Sequence, residues 1–210
     1  MSERELREKM AEHGRSLFDR GLTSGSSGNI SQRLPDGMLI TPTNCCLGRL
    51  DPDEISRLDS AGNLISGKPP SKEAFLHGAY YRSRSSEQAI VHLHSTWSVA
   101  VSCLSDLDPE NVLPPITAYF VMRVGRLPLV PYFAPGDMQL ADAVEQSVKS
   151  ARGALLANHG PVIGGRDLDS AVYAVEELEE TAKLYLMLRE LPTRFLDVDQ
   201  VSDLHARFPS

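Results

Sequence analysis

The sequence predicts an α/β fold, a three-layer α/β/α domain in which helices cover both faces of a largely antiparallel central sheet. Helical and extended patterns alternate along all 210 residues, and no internal repeat or Ser/Gly-rich linker divides them. Most links between neighbouring strands are as short as hairpins, whereas parallel strands need longer crossovers. We therefore expect a single domain over residues 1–210, with a tail from about residue 192.

The N-terminal part of the chain predicts a long helix followed by short strands. Apolar residues recur on one helical face over residues 3–20, and Gly21 ends this helix. Pro35-Asp36-Gly37 forms the turn of a hairpin, and Pro69-Pro70-Ser71 opens a second helix. The predicted strands span residues 30–34, 38–41, 55–58 and 63–65, and the second helix spans residues 72–82.

The C-terminal part predicts further strands and helices. A strand over residues 89–94 leads into a helix capped by Ser95 or Thr96, and Asp137 begins another helix. Asn158-His159-Gly160 forms a tight turn between two strands. The remaining predicted elements are a helix at 117–124, strands at 127–131, 154–157 and 161–163, a long helix at 168–189, and one more short helix after Pro192.

The composition limits the partners of the chain. It has 28 acidic and 21 basic residues, a formal net charge of −7, so it lacks the basic excess that nonspecific nucleic-acid binding requires. No apolar stretch is long enough to span a bilayer, and the charged N-terminus differs from a signal peptide. Three cysteines, two of them adjacent, form neither a disulfide framework nor a zinc-binding Cys-x-x-Cys pair. We expect a cytoplasmic protein without nucleic-acid or membrane partners.

Three histidines form a candidate metal site. In a strand, His92 and His94 would project to the same face, which is half of a zinc site. His159 sits on the predicted tight turn, where the following Gly-Pro fixes its direction. Taken alone, the His92 and His94 pair also fits ordinary histidines at a strand end, and His159 alone fits a solvent-exposed turn histidine better than a ligand. Together the three predict a facial site with an open position. The other histidines are interpreted as helix-surface or tail residues: His13, His77 and His205.

Glu73 is the fourth candidate at this site. It lies in the first turn of the predicted helix over residues 72–82, where a negative charge is favoured. A carboxylate there would ligate a resting metal or move a proton at a carbon next to a polarised carbonyl. The alternative is an ordinary acidic residue at a helix start.

Three loops have the composition of a phosphate site. They are Ser26-Ser27-Gly28-Asn29, Thr41-Pro42-Thr43-Asn44 and Ser71-Lys72. Each offers hydroxyl, amide and backbone N–H donors at the end of a predicted element, and Lys72 adds a positive charge. Neither a Walker nor a dinucleotide-binding motif occurs. Each loop alone is also typical of an ordinary turn; combined with a metal site, they predict a phosphorylated substrate.

The same residues resemble a known family. Ser27-Gly28-Asn29, Thr41-Pro42-Thr43, Ser71-Lys72-Glu73, His92-Leu93-His94 and Asn158-His159-Gly160 resemble, in this order, the signatures of the class II aldolase/adducin family. The resemblance runs from the first helix to about Arg189. It implies a layered α/β/α domain, a zinc ion held by three histidines, and usually a homotetramer with sites between subunits.

The resemblance also implies a role for each candidate residue. It makes His92, His94 and His159 the metal ligands and Glu73 the acid/base. Tyr119 matches the position of the family's proton-donor tyrosine, although it also fits an ordinary half-buried helix residue. The phosphate-binding residues would be Gly28, Asn29, Thr43, Asn44, Ser71 and Lys72. The family's sugar-phosphate aldolases usually carry Gly in place of Asn44 and Ser in place of Lys72, which bears on the shape of the phosphate end.

Within the family, the chain more closely resembles a decarboxylase branch that acts on 3-oxo-tetronate 4-phosphate. The features shared with this branch are residues 41–44, 47–48, 71–77, 92–96, 113–119 and 129–133. Trp97 is a departure, because another histidine is expected there. The resemblance implies decarboxylation to dihydroxyacetone phosphate and carbon dioxide through a metal-stabilised enediolate.

Two alternative functions also fit the sequence. Aldol cleavage passes through the same enediolate, so the site residues fit a fuculose-phosphate aldolase, an epimerase or a dehydratase equally well. A noncatalytic module, like the adducin head region, is the second alternative. The retained His92, His94, His159 and Glu73 favour an enzyme over such a module.

Overall fold

The computed structural model describes residues 1–134 and 136–208. Its central feature is a single sheet of eight strands in the order β4-β3-β2-β1-β5-β8-β7-β6. The strands are β1 (Asn29–Leu34), β2 (Gly37–Ile40), β3 (Ser56–Asp59), β4 (Leu64–Ser66), β5 (Ala89–His92), β6 (Leu129–Val130), β7 (Gly153–Leu156) and β8 (Gly160–Gly165). Neighbouring strands pair antiparallel except β6 and β7, which are parallel. The largely antiparallel sheet predicted from the sequence is therefore confirmed.

Beside two short 3-10 helices (Leu47–Arg49 and Pro52–Glu54), seven α-helices occur in the described part of the chain. They are α1 (Glu3–Asp19), α2 (Ala74–Ser83), α3 (Thr96–Ser102), α4 (Ala118–Arg123), α5 (Met138–Ser147), α6 (Leu168–Leu188) and α7 (Val198–Arg207). Side chains cap several of them: Ser2 accepts from a backbone N–H of α1, and Asp167 does the same for α6. The short helix predicted in the tail is α7. Among the described residues, no helix combines the length and the apolar composition needed to cross a bilayer.

The helices pack on both faces of the sheet. Strand residues alternate between the faces, as the pleat requires. Val91 and Ile163 pack with buried residues of α1, α3, α4 and α6, whereas Ile90 and Val162 pack with buried residues of α2 and α5. Two separate apolar layers result, one on each side of the strands. This arrangement confirms the predicted three-layer α/β/α domain.

Three central strands bring their ends to one edge of the sheet. β1 begins at Asn29, which pairs with His92 at the end of β5. His92 in turn pairs with Val162, two residues into β8, which begins at Gly160. Because neighbouring strands are antiparallel, the start of β1, the end of β5 and the start of β8 meet at the same edge. The loops that carry the candidate site residues are attached there.

Two predicted boundaries differ from the structure at this edge. The strand predicted over residues 89–94 ends at His92, because the chain turns at Ser95, the N-cap of α3. His94 therefore lies in the connection after β5 and not in the strand. The helix predicted from residue 72 begins at Ala74, which leaves Glu73 at its N-cap. Away from this edge, β6 covers only two of the residues predicted at 127–131.

Candidate metal centre

The three predicted metal-binding histidines converge at this edge. His92 Nε2 lies 3.1 Å from His94 Nε2 and 3.3 Å from His159 Nε2, and the last two nitrogens are 3.0 Å apart. Ligands about 2.0–2.1 Å from a tetrahedral zinc ion are about 3.3 Å from one another. The observed separations therefore fit three ligands of one divalent cation.

The tautomer of His92 leaves a lone pair directed into this cluster. Nδ1 of His92 lies 2.8 Å from the carbonyl oxygen of Pro161. A carbonyl only accepts, so Nδ1 carries the proton and donates it. Burial lowers the pKa of the His92 imidazole, which keeps the ring neutral. Nε2 is then an unprotonated nitrogen, the form that a metal ion binds.

Backbone conformation fixes the turn that presents His159. Asn158 and Gly160, on either side of it, both have positive φ, at 55° and 151°. Gly160 lies so close to the backbone of Leu93 that a Cβ there would overlap its carbonyl oxygen. The Asn158 N–H donates to the Ser102 carbonyl at 3.2 Å. Glycine is thus required beside His159 both for its φ and for the close approach.

Glu179 of α6 fixes the chain that follows His94. Ser95 makes no side-chain cap for α3, and the buried Glu179 carboxylate takes over this role. Its Oε1 accepts from the Trp97 N–H at 2.8 Å, and its Oε2 accepts from the Ser98 N–H at 2.8 Å and the Ser98 hydroxyl at 2.6 Å. These bonds satisfy donors that the first turn of a helix leaves without partners. Nothing in the sequence indicated this role for Glu179.

Glu73 lies beside the histidines, as predicted. Its Oε2 is 3.5 Å from His92 Nε2, and its Oε1 is 3.3 Å from His159 Nε2. Together with His94, the four residues offer ligand atoms that all lie within 4.8 Å of one another. Although Glu73 stands at the N-cap of α2, its side chain makes no capping bond. The carboxylate is therefore available to a metal or a substrate, unlike an ordinary helix-start acid.

The charge states of the cluster follow from burial and from mutual contact. Burial alone would raise the pKa of Glu73, but the nearby His92 and the hydrogen bonds from His159 and Asn29 outweigh it and hold this pKa well below its usual range. Burial, together with the nearby His92 and His159, lowers the pKa of His94 to about 4. The site thus presents a carboxylate beside imidazole nitrogens, a donor set that suits zinc and similar divalent ions.

The loops predicted to bind phosphate lie next to this cluster. The Thr43 N–H donates to Pro69 at 2.9 Å, and the Ser71 N–H donates to Thr41 at 3.1 Å, so the second and third loops run side by side. The Ser71 hydroxyl accepts from the Glu73 N–H at 3.2 Å. Gly28 has a φ of 78° and packs against the His92 carbonyl. Asn44, with a φ of 55°, and Lys72 are exposed.

Asn29 and Tyr119 are placed differently from the other predicted residues. Asn29 is buried, and its amide is engaged with Glu73 and His77. Tyr119 lies on α4 with 59% of its surface exposed, and the Arg123 guanidinium stands 5.6 Å from its ring centre. Within the described residues, no hydrogen bond joins Tyr119 to the histidine cluster. Its role as proton donor stays a prediction.

The sequence interpretation of His77 as a helix-surface residue is wrong. Its side chain is fully buried between α2 and β1, with Nε2 2.6 Å from Asn29 Oδ1 and Nδ1 2.6 Å from Ser31 Oγ. One signal was available, because His77 lies four residues after Glu73 and so shares its side of the helix. His13 is also largely buried and pairs with Asp169 at 2.7 Å.

The chain is similar to several known proteins. Residues 8–186 match the sequence model of a protein family, which is described as "Class II Aldolase and Adducin N-terminal domain". A 3-oxo-tetronate 4-phosphate decarboxylase from Escherichia coli K12 is 48% identical over 205 residues, 97% of each chain. An L-fuculose phosphate aldolase from Methanocaldococcus jannaschii is 40% identical over 174 residues, 82% of this chain and 91% of that protein.

The fold is also seen in solved structures. A crystal structure from Klebsiella pneumoniae, described as a putative aldolase/epimerase/decarboxylase, superposes with a TM-score of 0.95 at 47% identity. The match covers 97% of this chain and 99% of that one.

Proposed function

Because the chain belongs to the class II aldolase/adducin family, we propose that it decarboxylates 3-oxo-tetronate 4-phosphate to dihydroxyacetone phosphate and carbon dioxide. The observation that carries the proposal is the convergence of His92, His94 and His159 on one point with Glu73 beside them. The 48% identity to a decarboxylase of this name supports the choice of reaction.

The three imidazoles would hold a divalent cation, and we propose zinc. When bound, the cation supplies Lewis acidity, which stabilises the negative charge that develops on the substrate's ketone oxygen. His92 is prepared for this role because its other ring nitrogen is held by the Pro161 carbonyl. Glu73, at the same edge of the sheet, would be a fourth ligand of the cation or, with substrate bound, the group that accepts and donates a proton.

Decarboxylation moves one electron pair within the substrate and adds one proton to carbon. The bond between the carboxylate carbon and C2 breaks, and its electron pair moves toward the ketone oxygen on C3. C2 then takes up a proton, which gives the hydroxymethyl group of dihydroxyacetone phosphate. Glu73 is ionised at rest, so it would first take up a proton from solvent and then donate it to C2, where it replaces the carbon dioxide that leaves.

Tyr119 is the second candidate for the proton donor. Its exposed position on α4 leaves the Tyr119 side chain accessible to a neighbouring copy of the chain. We therefore propose a homotetramer with sites between subunits, in which Tyr119 serves an adjacent site.

The cytoplasmic location and the single domain over residues 1–210 also stay predictions.

The substrate phosphate would lie in the adjoining loops. Gly28 gives close backbone approach next to His92, while Thr43, Asn44 and Ser71 offer short polar donors. Lys72 adds a positive charge at the exposed end. Asn29 would contribute the amide N–H that Glu73 does not use. Separate sites for the phosphate and the reacting carbons orient the substrate before the bond breaks.

A direct assay separates decarboxylation from aldol cleavage. The metal-loaded protein is supplied with 3-oxo-tetronate 4-phosphate, and dihydroxyacetone phosphate and carbon dioxide are measured. Equal amounts of the two products support the proposal. The second candidate function is a fuculose-phosphate aldolase, favoured by the 40% identical relative of that name. Aldehyde release from fuculose 1-phosphate, with no carbon dioxide from the keto acid, would establish it instead.

A further inference from the structure

A chain of polar side chains leads from the interior of the protein to the Glu73 carboxylate. Asn29 Nδ2 donates to Glu73 Oε2 at 2.6 Å, and Asn29 Oδ1 lies 2.6 Å from His77 Nε2. Nδ1 of His77 lies 2.6 Å from Ser31 Oγ, which is 2.9 Å from the Tyr81 hydroxyl. The four residues behind Glu73 are all buried.

The Glu73 carboxylate sets the direction of these hydrogen bonds. An ionised carboxylate only accepts, so Asn29 must turn its NH2 group toward Glu73 and its oxygen toward His77. An amide oxygen also only accepts, so His77 must carry its proton on Nε2. Its Nδ1 then accepts from the Ser31 hydroxyl. If Asn29 were reversed, two acceptor oxygens would face each other at 2.6 Å with no proton between them.

The positions of these residues on β1 and α2 bring their side chains together. Asn29 and Ser31 are two apart on β1 and so point to the same face of the sheet. His77 is one turn along α2 from Glu73 and reaches both of them. Burial lowers the pKa of His77 to about 3, so the ring stays neutral and keeps one tautomer. A buried network whose members are all bonded holds a single arrangement.

We propose that His77 is a positioning residue for the reaction: by donating from Nε2 to Asn29, it fixes the amide that holds the Glu73 carboxylate. His77 makes no hydrogen bond to the metal-binding histidines within the described part of the chain, so it acts through Asn29. The inference rests on the proposed function to the extent that Glu73 moves the proton of the reaction.

Two substitutions separate positioning from a merely structural role. In His77→Gln, the side-chain NH2 reaches the place of Nε2 and still donates to Asn29. In His77→Asn, the shorter side chain reaches only the place of Nδ1, so it keeps a bond to Ser31 and loses Asn29. The matched control is His205→Asn, the same change at an exposed histidine of α7.

We expect His77→Asn to lower kcat by about 10–100-fold, the usual effect of losing a partner that orients a site residue. His77→Gln should recover most of kcat, and both variants should keep the metal content of the unmodified protein. Equal kcat values for the two variants, or losses of kcat that only follow losses of thermal stability, would overturn the inference.

A spectroscopic measurement tests the same point without turnover. Nitrogen-15 NMR of the unmodified protein, with the metal bound, should show His77 as the neutral tautomer protonated at Nε2. The Asn29 side-chain amide should exchange slowly with solvent, and fast in His77→Asn. A proton on Nδ1 of His77 would refute the positioning role even if the protein decarboxylates its substrate. Conversely, the expected tautomer in a protein that releases no carbon dioxide would refute only the proposed function.

Discussion

Removal of the Glu179 carboxylate should destabilise the protein and weaken its metal site together. The carboxylate accepts from two backbone N–H groups and one hydroxyl at the start of α3, at 2.6–2.8 Å. In Glu179→Ala these buried donors lose their partner. Each hydrogen bond to a charged group contributes about 1.5–3 kcal/mol, but water and local relaxation recover part of it, so we expect a total loss of about 3 kcal/mol. For a chain of this size, that lowers Tm by about 6–12 °C.

The assay is thermal unfolding of the metal-free protein, followed by titration with zinc. Glu179→Gln keeps one acceptor oxygen and should lose about half as much stability. Both variants should bind zinc more weakly, because α3 begins directly after the His94 segment. The control is Glu180→Ala, at an exposed position on the same helix. If Glu179→Ala has the Tm and the zinc affinity of the unmodified protein, the carboxylate does not fix this segment.

Three further predictions concern the site itself. His94→Ala should abolish zinc binding and activity but leave the circular dichroism spectrum unchanged; a metal-loaded, active variant would contradict its role as a ligand. Lys72→Met should raise KM for the phosphorylated substrate with little change in kcat, whereas Lys68→Met, also exposed, should change neither; an unchanged KM would remove Lys72 from the phosphate site. The pKa of His94 is lowered in the folded state from 6.5 to about 4, so folding favours the neutral ring. Its contribution to stability is present above pH 6.5 and lost as pH falls toward 4. Acid titration of the metal-free protein should therefore show a smaller loss of unfolding free energy in His94→Ala than in the unmodified chain.

The layered fold was predictable because local patterns and tertiary structure agree. Alternating residues on the central strands, such as Ile90 and Val91, face opposite apolar layers, and hairpin-length links imply antiparallel pairing. Strand and helix ends were less predictable, because they depend on caps that other parts of the chain supply. The end of β5 is one example, since Glu179 holds the start of α3 from a position more than 80 residues away.

The residues of the candidate site were predictable from the sequence, but the residues that hold them in place were not. His92, His94, His159 and Glu73 do meet, although His94 reaches the cluster from beyond the strand that was expected to carry it. His77 was misassigned because its place on a predicted helix did not by itself show that this side of the helix is covered. Its burial depends on Asn29 and Ser31, which pack against it from a different element.

Diffraction from crystals grown with zinc, recorded on both sides of the zinc absorption edge, tests the central claim most directly. The account predicts one anomalous peak about 2.0–2.1 Å from the Nε2 atoms of His92, His94 and His159. A zinc ion bound elsewhere, or no peak among these three rings at full zinc occupancy, would contradict it.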